Sequence, residues 1–162
     1  MKSVLLMAAA MLVVSAGSVR AQTAQSWSPV AAQPEYIRAV NVPSVAGAGD
    51  RKTFEILDVY QDRHALGADA IDYNRARYEV DCRAGTSLML SVSGFLTDGT
   101  LVASGQAPAD ARLAPVRDGS MSAETLEAVC GEKWMVVQYR TVEGFVTWAR
   151  EGGIAEWNDP SW

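Results

Sequence analysis

The feature that most constrains the fold is an Asp98-Gly99 pair standing between two stretches of alternating residues. Asp-Gly in this setting is a strong signal for a two-residue β-hairpin turn. A turn there brings only apolar or small residues together on one face, in the pairs Leu96–Leu101, Gly94–Ala103, Val92–Gly105 and Leu90–Ala107. The opposite face pairs Ser93 with Ser104 and Ser91 with Gln106. Since a slip by one residue would mix the two faces, the pattern predicts an antiparallel hairpin of defined register.

A predicted strand from Ile71 to Cys82 precedes this hairpin, and its register depends on the connection between them. A two-residue turn at Ala84-Gly85 would set leucines opposite two acidic residues. A three-residue loop over Ala84–Thr86 instead sets Leu88, Leu90 and Val92 beside Cys82, Val80 and Tyr78. We favour the longer loop because it builds one continuous apolar face, leaves the charged residues in water and points Cys82 into the core.

The first 21 residues have the layout of a secretory signal peptide. Lys2 supplies a positive charge, Val4–Val14 is an apolar run, and Val19-Arg20-Ala21 provides small residues before the cleavage point. We therefore predict cleavage between Ala21 and Gln22. The apolar run is too short to span a bilayer, and no cysteine follows the cleavage point to carry a lipid. We expect a periplasmic or secreted protein with no membrane span after the signal peptide is removed.

This compartment decides how the two cysteines, Cys82 and Cys130, are interpreted. In an oxidising space an even pair of cysteines usually forms a disulfide. The alternative is a metal or redox site, but the chain has no Cys-x-x-Cys motif and His64 is its single histidine. Two cysteines and one histidine are too few ligands for a structural zinc ion. We predict a disulfide between Cys82 and Cys130.

The second cysteine lies at the end of a predicted helix. Ser120 or Ser122 can cap its start, and Gly131 is a suitable end. One stripe of this helix carries Ser122, Leu126, Val129 and Cys130. The disulfide would hold the helix across the sheet face that contains Cys82, where the small residues Gly94, Ala103 and Gly105 would allow a close approach.

The remaining segments complete a predicted α+β fold. The fold is an antiparallel sheet of about five or six strands, with one helix disulfide-linked across one face and a C-terminal helix. The predicted strands outside the hairpin are Tyr36–Val42, Lys52–Gln61, Ile71–Cys82 and Trp134–Tyr139, and a short edge strand is an option within the loop Ala109–Gly119. Ala46–Asp50 is predicted as a turn, Asp62–Ala70 as a polar connection and Thr141–Arg150 as an amphipathic helix that ends at Gly152-Gly153. We divide the chain into a signal peptide (1–21), a flexible lead-in (22–34), an α+β domain (35–131) and a Trp-rich extension packed on it (132–162).

Charge and composition exclude several classes of partner. Loss of Lys2 and Arg20 with the leader lowers the basic residues from 14 to 12 against 19 acidic ones, so the net charge changes from −5 to −7. An acidic domain repels nucleic acid and anionic lipid. We therefore expect no nucleic-acid partner.

Candidate catalytic and metal-binding residues are few. His64 is the only candidate histidine base, it lies in a polar segment, and no Gly-x-Ser-x-Gly elbow presents a nucleophile. Four aspartates, Asp58, Asp62, Asp69 and Asp72, lack the spacing that wraps Ca²⁺ in one loop. Gly47-Ala48-Gly49 lacks the features of a phosphate-binding loop. We predict no catalytic, cofactor-binding or metal-binding residue, no cofactor, and a protein that is not an enzyme.

Four of the five tryptophans, Trp134, Trp148, Trp157 and Trp162, lie in the C-terminal extension. One interpretation is that they pack this extension against the sheet. The other is a binding patch of Trp148, Trp157 and Trp162 for a partner protein or a glycan, since Trp is enriched at binding hot spots. The residues alone leave both interpretations open.

The order of these features resembles the surface-adhesin protein E-like domain of secreted bacterial proteins. The resemblance covers Tyr36–Gly131 and rests on four segments, Val80-Asp81-Cys82, Asp98-Gly99, Gly119-Ser120 and Leu126–Cys130. It implies an antiparallel sheet with one helix disulfide-linked across it. Its namesake is a surface-exposed adhesin that binds host matrix proteins and dimerises, so the resemblance implies a protein, envelope or matrix partner and a homodimer. Only Cys82 and Cys130 carry over residue by residue.

Two functional hypotheses follow from the sequence. The first is a non-enzymatic secreted or periplasmic domain that binds a protein or a cell-envelope component. The second is a periplasmic hydrolase or hydrolase inhibitor of unrecognised type. A deep pocket that gathers His64 with carboxylates would favour the enzyme, whereas a Trp-lined surface would favour binding.

Overall fold

The computed structural model describes residues 25–135 and 138–159. An antiparallel sheet dominates it, with strand order β1-β2-β4-β5-β6-β7, while β3 pairs with β4 and β8 with β6. The strands are β1 (Trp27–Gln33), β2 (Tyr36–Asn41), β3 (Ala46–Ala48), β4 (Arg51–Leu66), β5 (Asp69–Asp81), β6 (Thr86–Phe95), β7 (Leu101–Gln106) and β8 (Ala114–Pro115). The helices are α1 (Met121–Gly131), α2 (Val142–Trp148) and α3 (Ile154–Trp157), with a π-helical turn, Ala149–Gly153, between the last two. The predicted α+β class is confirmed, with eight described strands instead of five or six.

Each face of the sheet is covered by its own helical layer, because apolar residues of the central strands point both ways. On one face Ile37, Leu57 and Val59 pack with Phe145 and Val146 of α2. On the other face, the even-numbered residues Val40, Ile56 and Val80 pack with Val129 of α1. Successive residues of a strand point to opposite faces, so a run of apolar residues in β2 and β4 is buried on both sides.

The prediction of a loose lead-in over 22–34 is wrong for β1. Trp27 is fully buried, and β1 pairs with β2 from Trp27 opposite Asn41 to Gln33 opposite Tyr36. The register shifts between Pro29 and Ala31. A proline cannot donate a ladder hydrogen bond, but an edge strand with a bulge tolerates one. The polar composition of this segment therefore concealed a strand whose first residue is part of the core.

The predicted polar connection over Asp62–Ala70 is also wrong. β4 continues to Leu66 and β5 begins at Asp69, so the two strands form a long hairpin that turns at Gly67 with φ of +65°. A shift of register between Val59 and His64 bends this hairpin. Most residues at the end of this hairpin are exposed to water, so a polar composition is compatible with strands there. The same composition is typical of a loop, which is why the sequence suggested one.

The hairpin through Asp98-Gly99 has most of its predicted register. Val92 pairs with Gly105 and Gly94 with Ala103 on one face, and the serine and glutamine pairs of the other face also form. The pair Leu96–Leu101 is wrong, since a bulge places Phe95 opposite Leu101. The Leu96 N–H donates to the Thr100 carbonyl at 2.9 Å, so the turn is wider than two residues.

The turn between β5 and β6 has neither of the two lengths that we considered from the sequence. Asp81 pairs with Thr86, which leaves a four-residue turn, and Leu88 lies opposite Glu79 instead of beside Cys82. A bulge at the step between Arg77 and Tyr78 then returns Val92 to the predicted face of the sheet, where it lies opposite Ala76. A bulge adds one residue on one strand, so the apolar face continues although the turn is longer.

Helix α1 begins at the Ser120 cap, whose Oγ accepts the Ala123 N–H at 3.2 Å. It ends at the predicted Gly131, and Glu132 follows as the cap in a left-handed conformation with φ of 53°. The predicted disulfide is confirmed, with 5.6 Å between the Cα atoms of Cys82 and Cys130. The buried stripe differs from the predicted one and consists of Met121, Thr125, Ala128 and Val129.

The predicted approach of α1 to Gly94, Ala103 and Gly105 is wrong. A Cβ at Gly94 would lie 2.6 Å from Ile71 and 2.8 Å from Leu66, so the curled end of the β4–β5 hairpin fills the space above it. Helix α1 contacts β1, which lies at the opposite edge of the sheet from β6 and β7. The disulfide fixes only one end of the helix and leaves its direction to packing.

The C-terminal extension passes along β1 and covers the face of the sheet that carries Ile37, Leu57 and Val59. Tyr139 forms a bridge with Trp27, with N–O distances of 2.7 and 2.9 Å, but residues 136–137 of the predicted strand lie outside the described residues. The predicted amphipathic helix is confirmed as α2 with its adjoining turn, with Phe145, Val146 and Ala149 buried. The helix is interrupted at Gly152, whose φ is 128°.

Candidate binding surface

A surface groove lies where β1, α1 and the C-terminal extension meet, and we call it the Trp157 groove. It is lined by Pro29, Val30, Glu124, Glu127, Ala128, Lys133, Trp134, Met135 and Trp157. Its floor is mostly apolar. The side chain of Met135 is 42% exposed, and Trp134 and Trp157 are half-buried. Exposed apolar side chains gathered in a concave surface with polar residues around them are typical of an interaction site.

Both walls formed by the extension are attached to β1. The Met135 N–H donates to Ser28 Oγ at 2.9 Å, and Asn158 Nδ2 donates to the Gln33 carbonyl at 3.2 Å. The Trp134 side chain packs on the core under α1, whereas Trp157 packs on the core under α2. The groove therefore exists because the extension is anchored at two points along the edge strand.

The rim of the groove carries two carboxylates and one ammonium group. Glu127 accepts a hydrogen bond from Lys133 Nζ at 2.6 Å, and this bond together with the positive charge lowers the pKa of Glu127. The exposed side chain of Glu124 makes no ion pair with any described residue. One negative charge of the rim is thus left without a partner.

A second hollow, which we call the acidic hollow, lies beside α2 and α3. It is lined by Glu143, Gly144, Thr147, Trp148, Glu151, Gly152, Gly153 and Glu156. Its three glutamates are exposed and form no ion pairs within the described part of the chain. Glu156 and Trp157 are consecutive residues of α3. Glu156 lines the acidic hollow, whereas Trp157 lines the Trp157 groove.

The structure separates the tryptophans that the sequence grouped as one patch. The Trp148 ring stacks on Tyr139 at 5.0 Å between ring centroids and also packs on Phe145, so part of it belongs to the core. Trp157 lines a different hollow from Trp148. Trp162, like the predicted cleavage point Ala21/Gln22, lies outside the described residues. The described tryptophans serve packing and line two separate surfaces.

A buried polar network across β2, β4 and β5 was not found from the sequence. Arg38 Nε and Nη2 donate to Asp58 Oδ1 and Oδ2 at 2.6 and 2.9 Å, and both side chains are less than 10% exposed. Asn74 Nδ2 donates to Tyr60 Oη at 2.7 Å, while Asn74 Oδ1 has no hydrogen-bond partner in the described part of the chain. Burial and the charge of Asp58 raise the pKa of Tyr60. An arginine in the apolar segment Ile37–Val40 was the available signal, since such a charge is buried only with a partner.

The histidine and aspartates considered from the sequence do not come together. The His64 ring is exposed and stacks on Tyr60 at 4.3 Å between centroids. Asp58 is bound by Arg38, whereas Asp62 and Asp69 are exposed. Asp72 is buried and accepts hydrogen bonds from the N–H and Oγ1 of Thr97, each at 2.8 Å. Within residues 25–135 and 138–159, no group of three or more His, Cys, Asp or Glu side chains is placed to hold a metal ion.

The family model described as Surface-adhesin protein E matches residues 27–131 of the chain. The chain belongs to the surface-adhesin protein E family. The match begins with Trp27 at the start of β1 and ends with α1, so it contains the sheet and both cysteines of the disulfide. Residues 132–162 follow the matched range, and four of their described residues, Lys133, Trp134, Met135 and Trp157, line the Trp157 groove together with residues of β1 and α1.

No curated protein and no solved structure matches the chain. None of the described helices of this adhesin E family member is long and apolar enough to cross a membrane. Membership of the family indicates a binding role at the cell surface or outside the cell.

Proposed function

We propose that this protein is a non-enzymatic domain of the periplasm or the exterior that binds a protein or a component of the cell envelope. The observation that carries the proposal is the adhesin E family match over 27–131. In this proposal residues 1–21 are a signal peptide cleaved between Ala21 and Gln22. The mature chain consists of the adhesin E domain and an extension that adds binding surface.

The arrangement of the buried charged groups supports this proposal. Asp58 is engaged by Arg38, and Asp72 is engaged by Thr97, Arg63 and Arg150. These carboxylates neutralise or orient neighbouring groups of the fold instead of facing a cleft. A general base must lie within hydrogen-bond reach of the group from which it removes a proton, and His64 stacks on a tyrosine on the outer part of a hairpin. The Trp157 groove, in contrast, is an apolar surface with a charged rim.

The test uses the secreted chain without its leader, purified with its disulfide intact. We expect saturable binding to an envelope extract or to an immobilised host matrix protein, with a Kd of about 10 μM or tighter, which corresponds to about 7 kcal/mol. An unrelated secreted protein of similar size and negative charge is the control for non-specific attraction. Absence of binding to every extract and matrix protein up to several hundred micromolar would contradict the proposal.

A parallel measurement addresses the hydrolase or inhibitor alternative. The same preparation is incubated with ester, peptide and glycoside substrates, and with the hydrolases of the envelope extract. Turnover that is lost in a His64→Gln variant, or stoichiometric inhibition of one hydrolase, would replace the binding proposal. Sedimentation velocity of the same sample reports whether the homodimer implied by the resemblance forms.

A further inference from the structure

We propose that the Trp157 groove binds an extended segment of a partner protein in which apolar side chains alternate with lysine or arginine. This inference rests on the proposed function and specifies the chemistry of the partner. The groove supplies an apolar floor for the anchoring side chains, and the acidic residues around it attract the basic ones. The site lies between β1 and α1 of the matched domain and the chain that follows this domain.

The apolar floor is the first argument. Met135 is exposed to 42% of its surface, and it lies beside the half-buried rings of Trp134 and Trp157. Pro29 and Val30 of the edge strand complete this surface. Removing apolar surface from water is favourable, so an aliphatic side chain that enters the groove contributes to the affinity. Tryptophan and methionine are also enriched at the centre of protein interfaces.

Preorganisation of the walls is the second argument. Ser28 holds Met135 through its backbone N–H, and Asn158, next to Trp157, is bound to the Gln33 carbonyl. The opposite wall is α1, whose end is fixed by the disulfide at Cys130. A groove with fixed walls loses little conformational entropy when it is filled, which favours affinity.

Charge complementarity selects the kind of segment. Lys133 is neutralised by Glu127, which leaves the Glu124 carboxylate at the rim without an ion-pair partner in the described chain. On the other side of α3, the acidic hollow adds Glu143, Glu151 and Glu156. The whole chain carries a net charge of −5. Carboxylates on both sides of the apolar floor attract a basic segment and repel an acidic one, and exposed charges act mainly on the association rate.

The test uses three amidated and acetylated peptides without aromatic residues, so that the intrinsic tryptophan fluorescence of the protein reports binding. The first peptide alternates lysine with leucine, the second has glutamate for each lysine, and the third has serine for each leucine. We expect saturable binding of the first peptide, and affinities at least about tenfold weaker for the other two. Binding of the first peptide should weaken when salt is raised from about 0.05 to 0.5 M, because screening shortens the reach of exposed charges.

Two matched pairs of variants locate the site. Met135→Lys places a positive charge in the groove, and Met89→Lys makes the same change at a methionine that is also 42% exposed but lies on β6. Glu124→Lys changes the rim, and Asp62→Lys makes the same change of charge at an exposed residue of the β4–β5 hairpin. We expect about a tenfold loss of affinity for the first member of each pair and less than about twofold for the second. Circular dichroism verifies that each variant is folded.

Several outcomes would overturn the inference. These are an equal affinity for the acidic peptide, no saturation by the basic peptide up to about 1 mM, or equal effects within each pair of variants. Repeating the envelope-binding assay with Met135→Lys separates this failure from that of the proposed function. If wild type and variant capture the envelope component equally, the function holds and the groove is not the site. If the basic peptide binds in the groove but no envelope or matrix component is captured, the groove holds and the proposed function fails.

Discussion

Replacing Arg38 with methionine should destabilise the fold strongly, because it leaves the Asp58 carboxylate buried without its counter-ion. The guanidinium makes two hydrogen bonds to Asp58, at 2.6 and 2.9 Å, and the two side chains are 9% and 6% exposed. Burial disfavours a charged guanidinium, but the Asp58 carboxylate outweighs this effect and raises the pKa of Arg38 above its usual value. The Arg38 guanidinium is therefore fully charged at neutral pH.

The size of the effect follows from what remains after the substitution. Asp58 would keep one weak hydrogen bond, from Asn74 Nδ2 at 3.5 Å. Breaking a buried ion pair by removing one partner costs about 3–5 kcal/mol, whereas replacing both partners with apolar residues of similar size is often neutral. We expect about 3–5 kcal/mol for Arg38→Met, and a double variant Arg38→Met/Asp58→Leu within about 2 kcal/mol of wild type. The double variant should therefore lose much less stability than the sum of the losses in the two single variants.

Urea unfolding at pH 7, followed by tryptophan fluorescence, measures the free energy of unfolding of the four proteins of this double-mutant cycle. The exposed ion pair Arg51–Glu79, whose arginine is 61% exposed, provides the control, and Arg51→Met should cost less than about 1 kcal/mol. The reasoning is refuted if Arg38→Met costs less than 1 kcal/mol or if the effects of the two single substitutions simply add up.

Three further predictions follow from the contacts of single residues. Replacing Cys82 and Cys130 with alanine should lower the free energy of unfolding by roughly 4 kcal/mol, since the disulfide closes a loop with a sequence separation of 48; denaturant titration of oxidised and reduced samples checks this. Burial alone would raise the pKa of Asp72, but hydrogen bonds from threonine and two arginine charges lower it overall, so this residue stabilises the fold above about pH 4 and ceases to do so as the pH falls through its lowered pKa. Asp72→Asn should therefore reduce stability at pH 7 and flatten its decline below about pH 4, and an unchanged pH profile would contradict the assignment. Gly153→Ala would place a methyl group 2.5 Å from the indole that ends α2 and should cost about 1–3 kcal/mol in thermal unfolding, whereas the control Gly131→Ala, 3.4 Å from a flexible lysine, should be nearly neutral.

The candidate site shows how far residues alone indicate a surface. The concentration of tryptophans in the extension was visible in the sequence, and Trp157 does line a groove. Its neighbours Pro29 and Val30 lie more than 100 residues earlier in the chain, in a segment whose composition suggested a loose lead-in. Only the packing of the extension along β1 brings these residues together, so no local pattern could have predicted the groove.

Residues read along the chain were sufficient to predict the features that depend on near neighbours. Alternation around Asp98-Gly99 specified the two faces of a hairpin, Ser120 and Ser122 limited the start of α1 to two positions, and the even pair of cysteines indicated the disulfide. These features depend on the period of the backbone, on cap chemistry and on a unique pairing, all of which can be read along the chain.

Tertiary structure decided the register beyond each bulge, the extension of the β4–β5 hairpin and the burial of Trp27. It also decided which carboxylate neutralises Arg38, a pairing across two strands between residues 20 positions apart. A bulge changes register by one residue at little local cost, and a buried charge is stable only beside its partner. The free energies that settle both questions come from contacts between distant segments, and these contacts exist only in the folded chain.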